Sequence, residues 1–542
     1  MKMNLKNIIS AVLGAAMLTA CIGDLNTLPL NPTDVTSETA YGADEAGYVQ
    51  GLAKIYFQLT SNNTDDLEVG DRGASEFIRA FWSTQEVTAD AAKCAWNNDP
   101  WVMDLNENSW KGDILNDAVY SVYVRAIQGI TYVNEYLRQT AGDKLDQRGC
   151  SNEVKAKVEV YRAEARFLRA FFYWAAMDSF GQVPFSTEDT PFGGGYNPVQ
   201  KPRSEIFNFC VSELEALAAE DSVMPAARSN YPRADKGSCL GLLARLYLNA
   251  EVYADKAMWA EAKATCEEIY KLGYALAPTH AELFRGDNGE NPDARKEMLF
   301  AASYDSEKNQ SYGGSTYMTN SALADAAESL EIMGINGGWA GNRVPYEYVK
   351  KFFTDVKNPD YETGTYEYTD LRASYFVIKG RQESMEGNLY TFKNGWSLAK
   401  YNNFPHDSSV EYDPAKENFS DIDWPLIRLG EIHLIYAEAC MHAGGNASEQ
   451  LNALVSRVNA QAPGTITEEW LMAERARELM WEGHRRTDLI RYGKWISGYD
   501  WTYKGGKFEG ADLPSHFDLY PIPSTELATN PDLQQNPGYA RP

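Results

Sequence analysis

Short amphipathic helical patterns recur in pairs along this sequence, and they constrain the fold more than any other feature. The apolar residues of one such pair are Cys239, Leu243, Leu246 and Ala250 in the first helix and Trp259, Ala262, Cys266 and Ile269 in the second. Spacings of three and four positions place these side chains on one face of each helix. Two short helices in close succession are typical of tetratricopeptide-like repeats, so we expect a mainly α-helical fold built on such a scaffold.

A longer helix is predicted between Val154 and Ala175. Its apolar side chains also recur three and four positions apart, which puts them on one face of the helix. The helix is expected to end near Gly181, because Pro184 lacks the backbone N–H that a continuing helix needs.

The last part of the chain repeats the paired pattern. Apolar residues predict one helix before Gly444, a second over residues 451–458 and a third that opens at Thr465 or Thr467. Thr465 and Glu468 have the spacing of a capping box, which would mark the start of the third helix. The helical scaffold should therefore resume after the middle of the chain.

The segment from residue 279 to 425 has a different texture. It is rich in Gly, Asn, Tyr and Pro, and its one clear helical pattern spans residues 344–353. We expect long loops and short strands mounted on the helical scaffold, which is where binding residues concentrate in folded proteins. Residues 65–110 have the same texture and are dense in tryptophan.

The first residues predict an export signal that ends in a lipid anchor. Lys2 and Lys6 precede an apolar run over residues 8–20, which is too short to cross a bilayer as a helix. Small residues precede Cys21, as a lipoprotein signal peptidase requires, so Cys21 is the expected lipidation site. The alternative is an ordinary secretory signal with Cys21 as a bystander. We expect a body that faces water and is tethered to a membrane by lipid.

The net charge and the aromatic content limit the classes of ligand that the folded part of the chain can bind. The formal net charge of -26 and the pI near 4.7 argue against nucleic acids and anionic membrane surfaces, which are bound by basic patches. The 13 Trp, 33 Tyr and 21 Phe supply flat apolar ring faces of the kind that bind sugars. The roughly 520 residues after the signal favour a large repeat scaffold or several packed domains over one small core.

Six cysteines remain after Cys21, at positions 94, 150, 210, 239, 266 and 440. Their wide spacing, without a Cys-x-x-Cys pair, argues against a zinc site. Four of them, Cys210, Cys239, Cys266 and Cys440, lie among apolar residues at helical spacing, where a free thiol behaves as a small hydrophobe. Free buried thiols are the favoured interpretation, although an exported protein could also form disulfides.

No metal or cofactor is predicted. The six histidines lack the His-x-x-x-His arrangement of zinc sites. The oxygen-rich residues 286–293 could wrap a structural calcium ion. A surface turn is the favoured interpretation, because Gly289 stands where such a loop would need an acidic ligand.

Three long motifs give the sequence a family resemblance. They are AEARFLRAFFYWAAMDSFGQVPF (163–185), ERARELMWEGHRRTDLIRYGKW (474–495) and YPIPSTELATNPDLQQNPGY (520–539). They resemble, in content, order and spacing, the characteristic motifs of SusD/RagB outer-membrane lipoproteins, and the resemblance covers essentially the whole chain. It implies a scaffold of about four tetratricopeptide-like helix pairs, an irregular loop-rich ligand face, and capture of glycans at the cell surface without enzymatic activity.

The resemblance also implies partners and a division of the chain. Family members act as a lid on a SusC-like TonB-dependent outer-membrane transporter, so we expect an outer-membrane location with the lipid on Cys21 as anchor. The expected segments are a signal peptide (1–20), a lipidated tether (21–40), an N-terminal helical region (41–278), the loop-rich ligand face (279–425) and a C-terminal region that completes the scaffold (426–542).

Shorter segments resemble the glycan site of the starch-binding founder of the family. They are DRGASEFIRAFW (71–82), CAWNNDPW (94–101), YGGSTY (312–317) and INGGWAGNR (335–343). By this resemblance the glycan-binding residues are Asp71, Arg79, Trp96, Asn98, Tyr312 and Trp339. Asn98 is chosen over its neighbours because the loop after Trp96 is slightly shorter here. The implied ligand is a starch-derived α-glucan, with fructan, a β-glucan or a host glycan as the alternative because residues 319–334 differ from the founder's.

These residue types suit sugar recognition on chemical grounds. A pyranose presents C–H groups on its face and hydroxyls around its edge, so an aromatic ring buries the face while carboxylate, guanidinium and amide groups bond the edge. Aromatic rings arranged in a curve would select a curved glycan chain. The competing interpretation places the three aromatic residues in the core and treats Asp71 and Arg79 as a surface ion pair of little energetic value.

Two other classes of function compete with glycan binding. A glycoside hydrolase needs two facing carboxylates, and no such pair stands out from the acidic background. The charged residues of the second motif, Glu474, Glu478, Arg485, Arg486 and Asp488, have helical spacings that favour structural ion pairs. A tetratricopeptide-like peptide-binding module would use the concave helical groove instead.

Overall fold

The computed structural model describes residues 37–62, 69–191, 196–323 and 328–541 of the 542-residue chain. The predicted signal peptide, the lipidation site Cys21 and most of the predicted tether lie outside the described residues. The lipid anchor therefore stays a prediction.

Helices dominate the described chain. In order, the α-helices are α1 Ser37–Tyr41, α2 Ala46–Thr60, α3 Phe77–Trp82, α4 Pro100–Glu107, α5 Asp117–Gln139, α6 Gly142–Gln147, α7 Asn152–Phe180, α8 Arg203–Ala218, α9 Lys236–Leu248, α10 Ala250–Ala254, α11 Trp259–Tyr270, α12 Pro292–Arg295, α13 Gly314–Ser321, α14 Tyr346–Phe352, α15 Leu429–Ala443, α16 Ser448–Ser456, α17 Glu468–Glu478, α18 Arg485–Arg491 and α19 Ser524–Thr529. Among these described helices, none combines the length and the apolar character that crossing a membrane requires.

The longer helices form the scaffold as successive pairs. α2 packs on α5, α7 on α8, α9 on α11 and α15 on α16. Neighbouring pairs touch through α5 with α7, α8 with α9 and α11 with α15, so the pairs form a continuous series. The prediction of a mainly α-helical fold with about four tetratricopeptide-like helix pairs is confirmed.

The helix predicted between residues 154 and 175 is α7, which begins two residues earlier, at Asn152, and continues to Phe180. The hydroxyl of Ser151 accepts a hydrogen bond from the backbone N–H of Val154 at 3.2 Å and caps the start of α7. The helix ends at Gly181, whose φ of 70° is in the left-handed region that favours glycine. The predicted end of this helix is thus confirmed.

The third C-terminal helix, α17, begins after Thr467. The hydroxyl of Thr467 accepts a hydrogen bond from the backbone N–H of Trp470 at 3.2 Å. The capping box predicted from Thr465 is wrong, because Glu468 is the first residue of the helix and cannot also be its third.

Short two-stranded ribbons carry the irregular part of the chain. The strands are β1 Lys93–Cys94, β2 Val183–Pro184, β3 Gln200–Lys201, β4 Met298–Ala302, β5 Asn342–Arg343, β6 Lys357–Asp360, β7 Thr365–Glu367, β8 Phe376–Val377, β9 Ser397–Leu398 and β10 Trp424–Arg428. They pair antiparallel as β1 with β5, β2 with β3, β4 with β10, β6 with β7 and β8 with β9. The segment boundary predicted at residue 425 falls inside β10 and stays a prediction.

The middle region contains more helix than its pattern predicts. α14 matches the helix predicted over residues 344–353, but α13 has no counterpart among the predictions. All of the residues of α13 are buried. Most of these residues are small and polar, so α13 shows no period of apolar residues although it is buried on all sides, and this kind of sequence signal cannot detect it.

The six cysteines in the described part of the chain are buried and free. The structure thus agrees with free buried thiols, which is the interpretation that the sequence favours. Burial raises the pKa of the Cys94 thiol to about 11, so the reactive thiolate is scarce at neutral pH.

A buried carboxylate joins the scaffold to the loop-rich region. Glu478 of α17 accepts hydrogen bonds from Arg372 at 3.0 Å, from Arg428 at 2.7 Å and from Arg457 at 2.5 Å. We call these four residues the Glu478 cluster. Arg372 belongs to the region between β7 and β8, while Arg428 ends β10 and Arg457 follows α16, so the cluster connects α17 to three other parts of the chain.

The charged residues of the 474–495 motif form structural ion pairs, as predicted, but most of their partners are not at helical spacing. Arg485 pairs with Asp90 at 2.7 Å, and Asp488 pairs with Arg475 at 2.8 Å. Arg486 departs from the prediction, since it donates to a backbone carbonyl at 2.6 Å. These side chains are buried, so they pair with whichever group tertiary packing brings close.

Candidate functional site

The ribbon of β1 and β5 positions two of the predicted glycan-binding residues. Its strands pair antiparallel, and the backbone N–H of Ala95 donates to the carbonyl of Gly341 at 2.8 Å. Trp96 follows Ala95 directly, and Trp339 lies two residues before Gly341. The ribbon therefore brings two tryptophan-bearing loops side by side, although they are far apart in sequence.

Polar residues that the sequence predictions missed hold this ribbon. Asn106 of α4 is buried, donates to the carbonyl of Cys94 at 2.7 Å and accepts from the N–H of Cys94 at 2.9 Å. Buried Arg343 donates to the carbonyls of Leu389 and Asn394 at 2.7 and 2.8 Å. The partners of these side chains lie in other segments, so no local pattern marks them.

Arg79 and Asp71 form an ion pair. Nη1 of Arg79 donates to Oδ1 of Asp71 at 3.3 Å and to the carbonyl of Tyr312 at 3.4 Å, while a shorter contact joins Nη2 to Oδ2 of Asp71. The Arg79 side chain is only 2 % exposed and that of Asp71 is 29 % exposed. The pair is therefore not the surface ion pair of the competing interpretation. Arg79 orients the Asp71 carboxylate and the Tyr312 backbone, and solvent reaches Asp71.

The predicted aromatic residues Tyr312 and Trp339 lie next to each other, and a fourth ring lies beside Tyr312. The ring centre of Tyr312 is 6.2 Å from that of Trp339, with 50° between the ring planes, and 5.3 Å from that of Phe419, with 49° between the planes. The Trp96 indole lies against the backbone of Gly341. We call Trp96, Trp339, Tyr312 and Phe419 the aromatic arc. Phe419 was not predicted, although a lone aromatic residue in a polar loop is the same signal that marks Trp96.

Exposure distinguishes the binding and core interpretations of the arc. Tyr312 is 48 % exposed, so its ring is not part of the core. Trp96 and Trp339 are half-buried, and each packs part of its surface against the hydrophobic core. Their placement leaves part of each ring accessible for a ligand, and the assignment of these residues to a glycan site stays a prediction.

Buried Tyr317 supports the arc from below. Its ring meets Trp96 edge to face at 5.9 Å and Trp82 at 5.6 Å, and the guanidinium of Arg79 lies 4.2 Å above its centre. Its hydroxyl donates to Oδ1 of Asn342 at 3.1 Å. Tyr317 therefore contacts and positions both Trp96 and Arg79. It lies on α13, the helix that has no amphipathic period.

The loop after Trp96 adds polar groups beside the arc. Asn98, the predicted amide ligand, is exposed on this loop. Burial raises the pKa of the Asp99 carboxyl group, and the negative charge of Asp71 raises it further, while Arg79 opposes the shift. Asn98 and Asp99 thus add an amide and a carboxyl group to the loop that follows Trp96.

A buried carboxyl group lies beneath the loop that carries Tyr312. Glu76 accepts hydrogen bonds from the hydroxyl of Tyr304 at 2.6 Å and from that of Ser311. A Cβ atom at Gly313 would collide with the Glu76 carboxyl group, so the loop packs directly on it. Burial raises the pKa of Glu76 to about 8, although the hydrogen bonds from Ser311 and Tyr304 oppose the shift. Glu76 is thus a neutral support for the arc at neutral pH.

This pKa makes the stability of the protein depend on pH in a defined direction. Since the folded-state pKa of Glu76 is raised, the unfolded state loses this proton first, and the contribution of Glu76 to stability falls as pH rises from about 5 to about 8. We expect Glu76→Gln to gain stability relative to wild type over that range, by roughly 1 kcal/mol per pH unit. Urea unfolding of both proteins at several pH values measures this difference. A difference that does not change with pH would contradict the prediction.

A cavity of about 580 Å³ lies outside the predicted site and borders the segment considered for calcium. Within that segment, Asp287 accepts a hydrogen bond from the N–H of His406 at 2.7 Å, and Asn288 donates to the carbonyl of Leu283 at 2.7 Å. Across the residues that the structure describes, no group of His, Cys, Asp and Glu side chains has the arrangement of a metal site. The calcium ion, the less favoured alternative to a surface turn for this segment, stays untested.

Known proteins resemble this chain in sequence and in fold. The sequence model of the SusD family matches residues 296–539. The starch-binding protein SusD of Bacteroides thetaiotaomicron is 31 % identical, and the match covers 99 % of this chain and 99 % of that protein. A solved SusD homologue from Bacteroides thetaiotaomicron has a TM-score of 0.70 at 18 % identity, over 94 % of this chain and 99 % of the homologue. A laminarin-binding SusD-like protein has a TM-score of 0.65 at 19 % identity, over 92 % and 100 %.

Proposed function

The chain belongs to the SusD family, and on that premise we propose that it captures starch-derived α-glucan oligosaccharides at the cell surface and delivers them to a TonB-dependent outer-membrane transporter. As a member of this family, the chain is a glycan-binding protein and not an enzyme. The identity of the glycan, the lipid anchor and the transporter are the parts that we propose.

The aromatic arc beside an exposed carboxylate is the observation that carries this proposal. Partly accessible rings of Trp96, Trp339 and Tyr312 can each cover the C–H face of a pyranose. The Asp71 carboxylate, held by Arg79, can accept hydrogen bonds from hydroxyls at the edge of the sugar. Because Arg79 is buried, its main contribution in this scheme is to orient Asp71, with Asn98 as the amide ligand.

The inclination between neighbouring rings favours a curved glycan over a flat one. Successive rings at Trp339, Tyr312 and Phe419 are tilted by 50° and 49°, so a flat chain could not lie against all of them. An α-1,4-glucan is curved, and the relative with 31 % identity over the whole chain is named as starch-binding. A β-1,3-glucan is curved as well, and the laminarin-binding relative makes it the second candidate.

The proposed lipid anchor rests on the sequence prediction. The proposed delivery of glycans to a transporter rests on family membership. The lipid on Cys21 would hold the protein on the outer membrane, and residues 21–40 would act as the tether. A SusC-like transporter is the proposed partner. The net charge of -26 disfavours nucleic acid as a partner and leaves neutral glycans as suitable ligands.

Calorimetric titration tests the identity of the ligand. The protein without residues 1–21 is titrated with maltoheptaose, a cyclic maltodextrin, laminari-oligosaccharides, a fructan and a mixed-linkage β-glucan. We expect binding of the first two, with dissociation constants on the order of micromolar to millimolar, as is usual for open sites. Binding of another glycan alone would overturn the α-glucan assignment and leave the family role intact.

Substitution of a glycine beside the arc tests the site by adding a side-chain atom next to a ring. At Gly341, φ is 123° and an added Cβ atom would lie 2.5 Å from Nε1 of Trp96. We expect Gly341→Ala to displace the indole and to weaken maltoheptaose binding about tenfold, or about 1.4 kcal/mol. Gly444→Ala is the matched control, because Gly444 also has a positive φ but has open space around its Cβ position. Unchanged affinity in Gly341→Ala would show that the Trp96 position does not matter for binding.

A further inference from the structure

Phe419 is the member of the aromatic arc that neither the sequence pattern nor the family resemblance assigned. Its ring is placed relative to Tyr312 much as Tyr312 is placed relative to Trp339. The centre distances are 5.3 and 6.2 Å, and the angles between the planes are 49° and 50°. Both the spacing and the inclination are similar, so the group of neighbouring rings includes a further ring beside Tyr312.

Core packing does not explain the position of Phe419. Its side chain is half-buried, and within the described part of the chain it is not among the apolar side chains that pack against the hydrophobic core. Trp96 and Trp339 do pack against that core. The ring partner of Phe419 is Tyr312, which is itself largely exposed. Large apolar side chains with such surroundings often mark a binding surface.

Hydrogen bonds on both sides hold the segment that contains Phe419. The N–H of Asn336 donates to the carbonyl of Glu417 at 2.5 Å, which ties the segment to the loop before β5. The N–H of Ser420 donates to the hydroxyl of Thr316 at 3.0 Å, which ties it to α13. A ring whose position is fixed before the ligand binds loses little conformational entropy when the ligand stacks on it, so the geometry is suited to binding.

The same segment borders the cavity of about 580 Å³. Glu417 and Asp421, two residues before and two residues after Phe419, both line this cavity, as does Tyr412. The segment therefore contacts the arc through Phe419 and the cavity through its neighbours. Carboxylate and hydroxyl groups of this kind bond the edge of a sugar whose face is covered by an aromatic ring.

We propose that Phe419 forms an additional sugar subsite, which extends the aromatic arc and makes the protein prefer longer oligosaccharides. This inference rests on the proposed glycan-binding site at Trp96, Tyr312 and Trp339. A short oligosaccharide fills those three rings alone. A longer one also stacks on Phe419 and places its hydroxyls toward the polar groups of the neighbouring cavity.

Affinity as a function of chain length tests this proposal. Malto-oligosaccharides and laminari-oligosaccharides of three to seven units are titrated into the full chain and into the Phe419→Ala and Phe419→Tyr variants. We expect Phe419→Ala to weaken binding of the seven-unit ligand about three- to tenfold, to leave the three-unit ligand unchanged, and Phe419→Tyr to retain wild-type affinity. Phe392→Ala is the control, because Phe392 is an exposed phenylalanine of the loop-rich region that does not belong to the arc.

Each other outcome overturns the subsite. Equal affinity of Phe419→Ala and wild type at every length would show that Phe419 does not contact the ligand. An equal loss at every length would show that Phe419 only supports Tyr312. A wild type that binds neither series would refute the proposed glucan-binding function itself, and the subsite with it. Thermal unfolding of each variant confirms that the comparison is between folded proteins.

Discussion

In the double variant Trp96→Ala/Trp339→Ala we expect affinity for maltoheptaose to fall about 100-fold or more. Each ring covers one sugar face, and loss of each such contact costs roughly 1–2 kcal/mol, so removal of both costs about 3 kcal/mol. Neither residue is fully buried, so the variant should fold. Calorimetric titration against wild type measures the loss.

Trp259→Ala is the control for this experiment. Trp259 is a half-buried tryptophan at the start of α11, where it stacks on His442 at 4.2 Å, and it belongs to the helical scaffold. A peptide-binding module that used the helical groove would be indifferent to the double variant. Normal glycan binding by the double variant would show that the assignment of the site to the aromatic arc is wrong.

The largest loss of stability is expected from Glu478→Ala. Removal of this carboxylate leaves Arg372, Arg428 and Arg457 buried without one of their shared partners. Breaking a buried ion pair from one side costs about 3–5 kcal/mol, because the remaining charge stays desolvated. Urea unfolding of the variant and of wild type measures the change in the free energy of unfolding.

The pH dependence and a surface variant provide the controls. Burial by itself would raise the pKa of Glu478, but Arg457 and the neighbouring cations hold it well below its usual range. A carboxyl group with a lowered pKa contributes its full stability at pH 7 and loses it as the pH falls below about 4. Glu153→Ala removes an exposed ion pair with Lys157 and should leave stability nearly unchanged. Equal effects of Glu478→Ala and Glu153→Ala would contradict the structural role of the Glu478 cluster.

The sequence alone predicted five of the eight helices that form the scaffold pairs and most residues of the proposed site, but not α2, α5 or α8. The helical periods predicted α7, α9, α11, α15 and α16, because a helix at the surface of a core must alternate apolar and polar faces. Motifs in the sequence showed the family, and the residues that align with its glycan site lie together in the structure. Trp96 and Trp339 could be singled out because they stand in polar loops without an apolar period.

Only the tertiary structure decided which residues support and extend that site. Arg79 bonds the carbonyl of Tyr312 across 233 positions of sequence, and its burial makes it a residue that orients Asp71. α13 is buried on all sides, so no period marked it or Tyr317. Phe419 joins the arc only because hydrogen bonds hold its segment against distant loops. A local pattern records which face of one element is buried, whereas contacts between distant segments depend on how all the elements pack, and no single stretch of sequence contains that information.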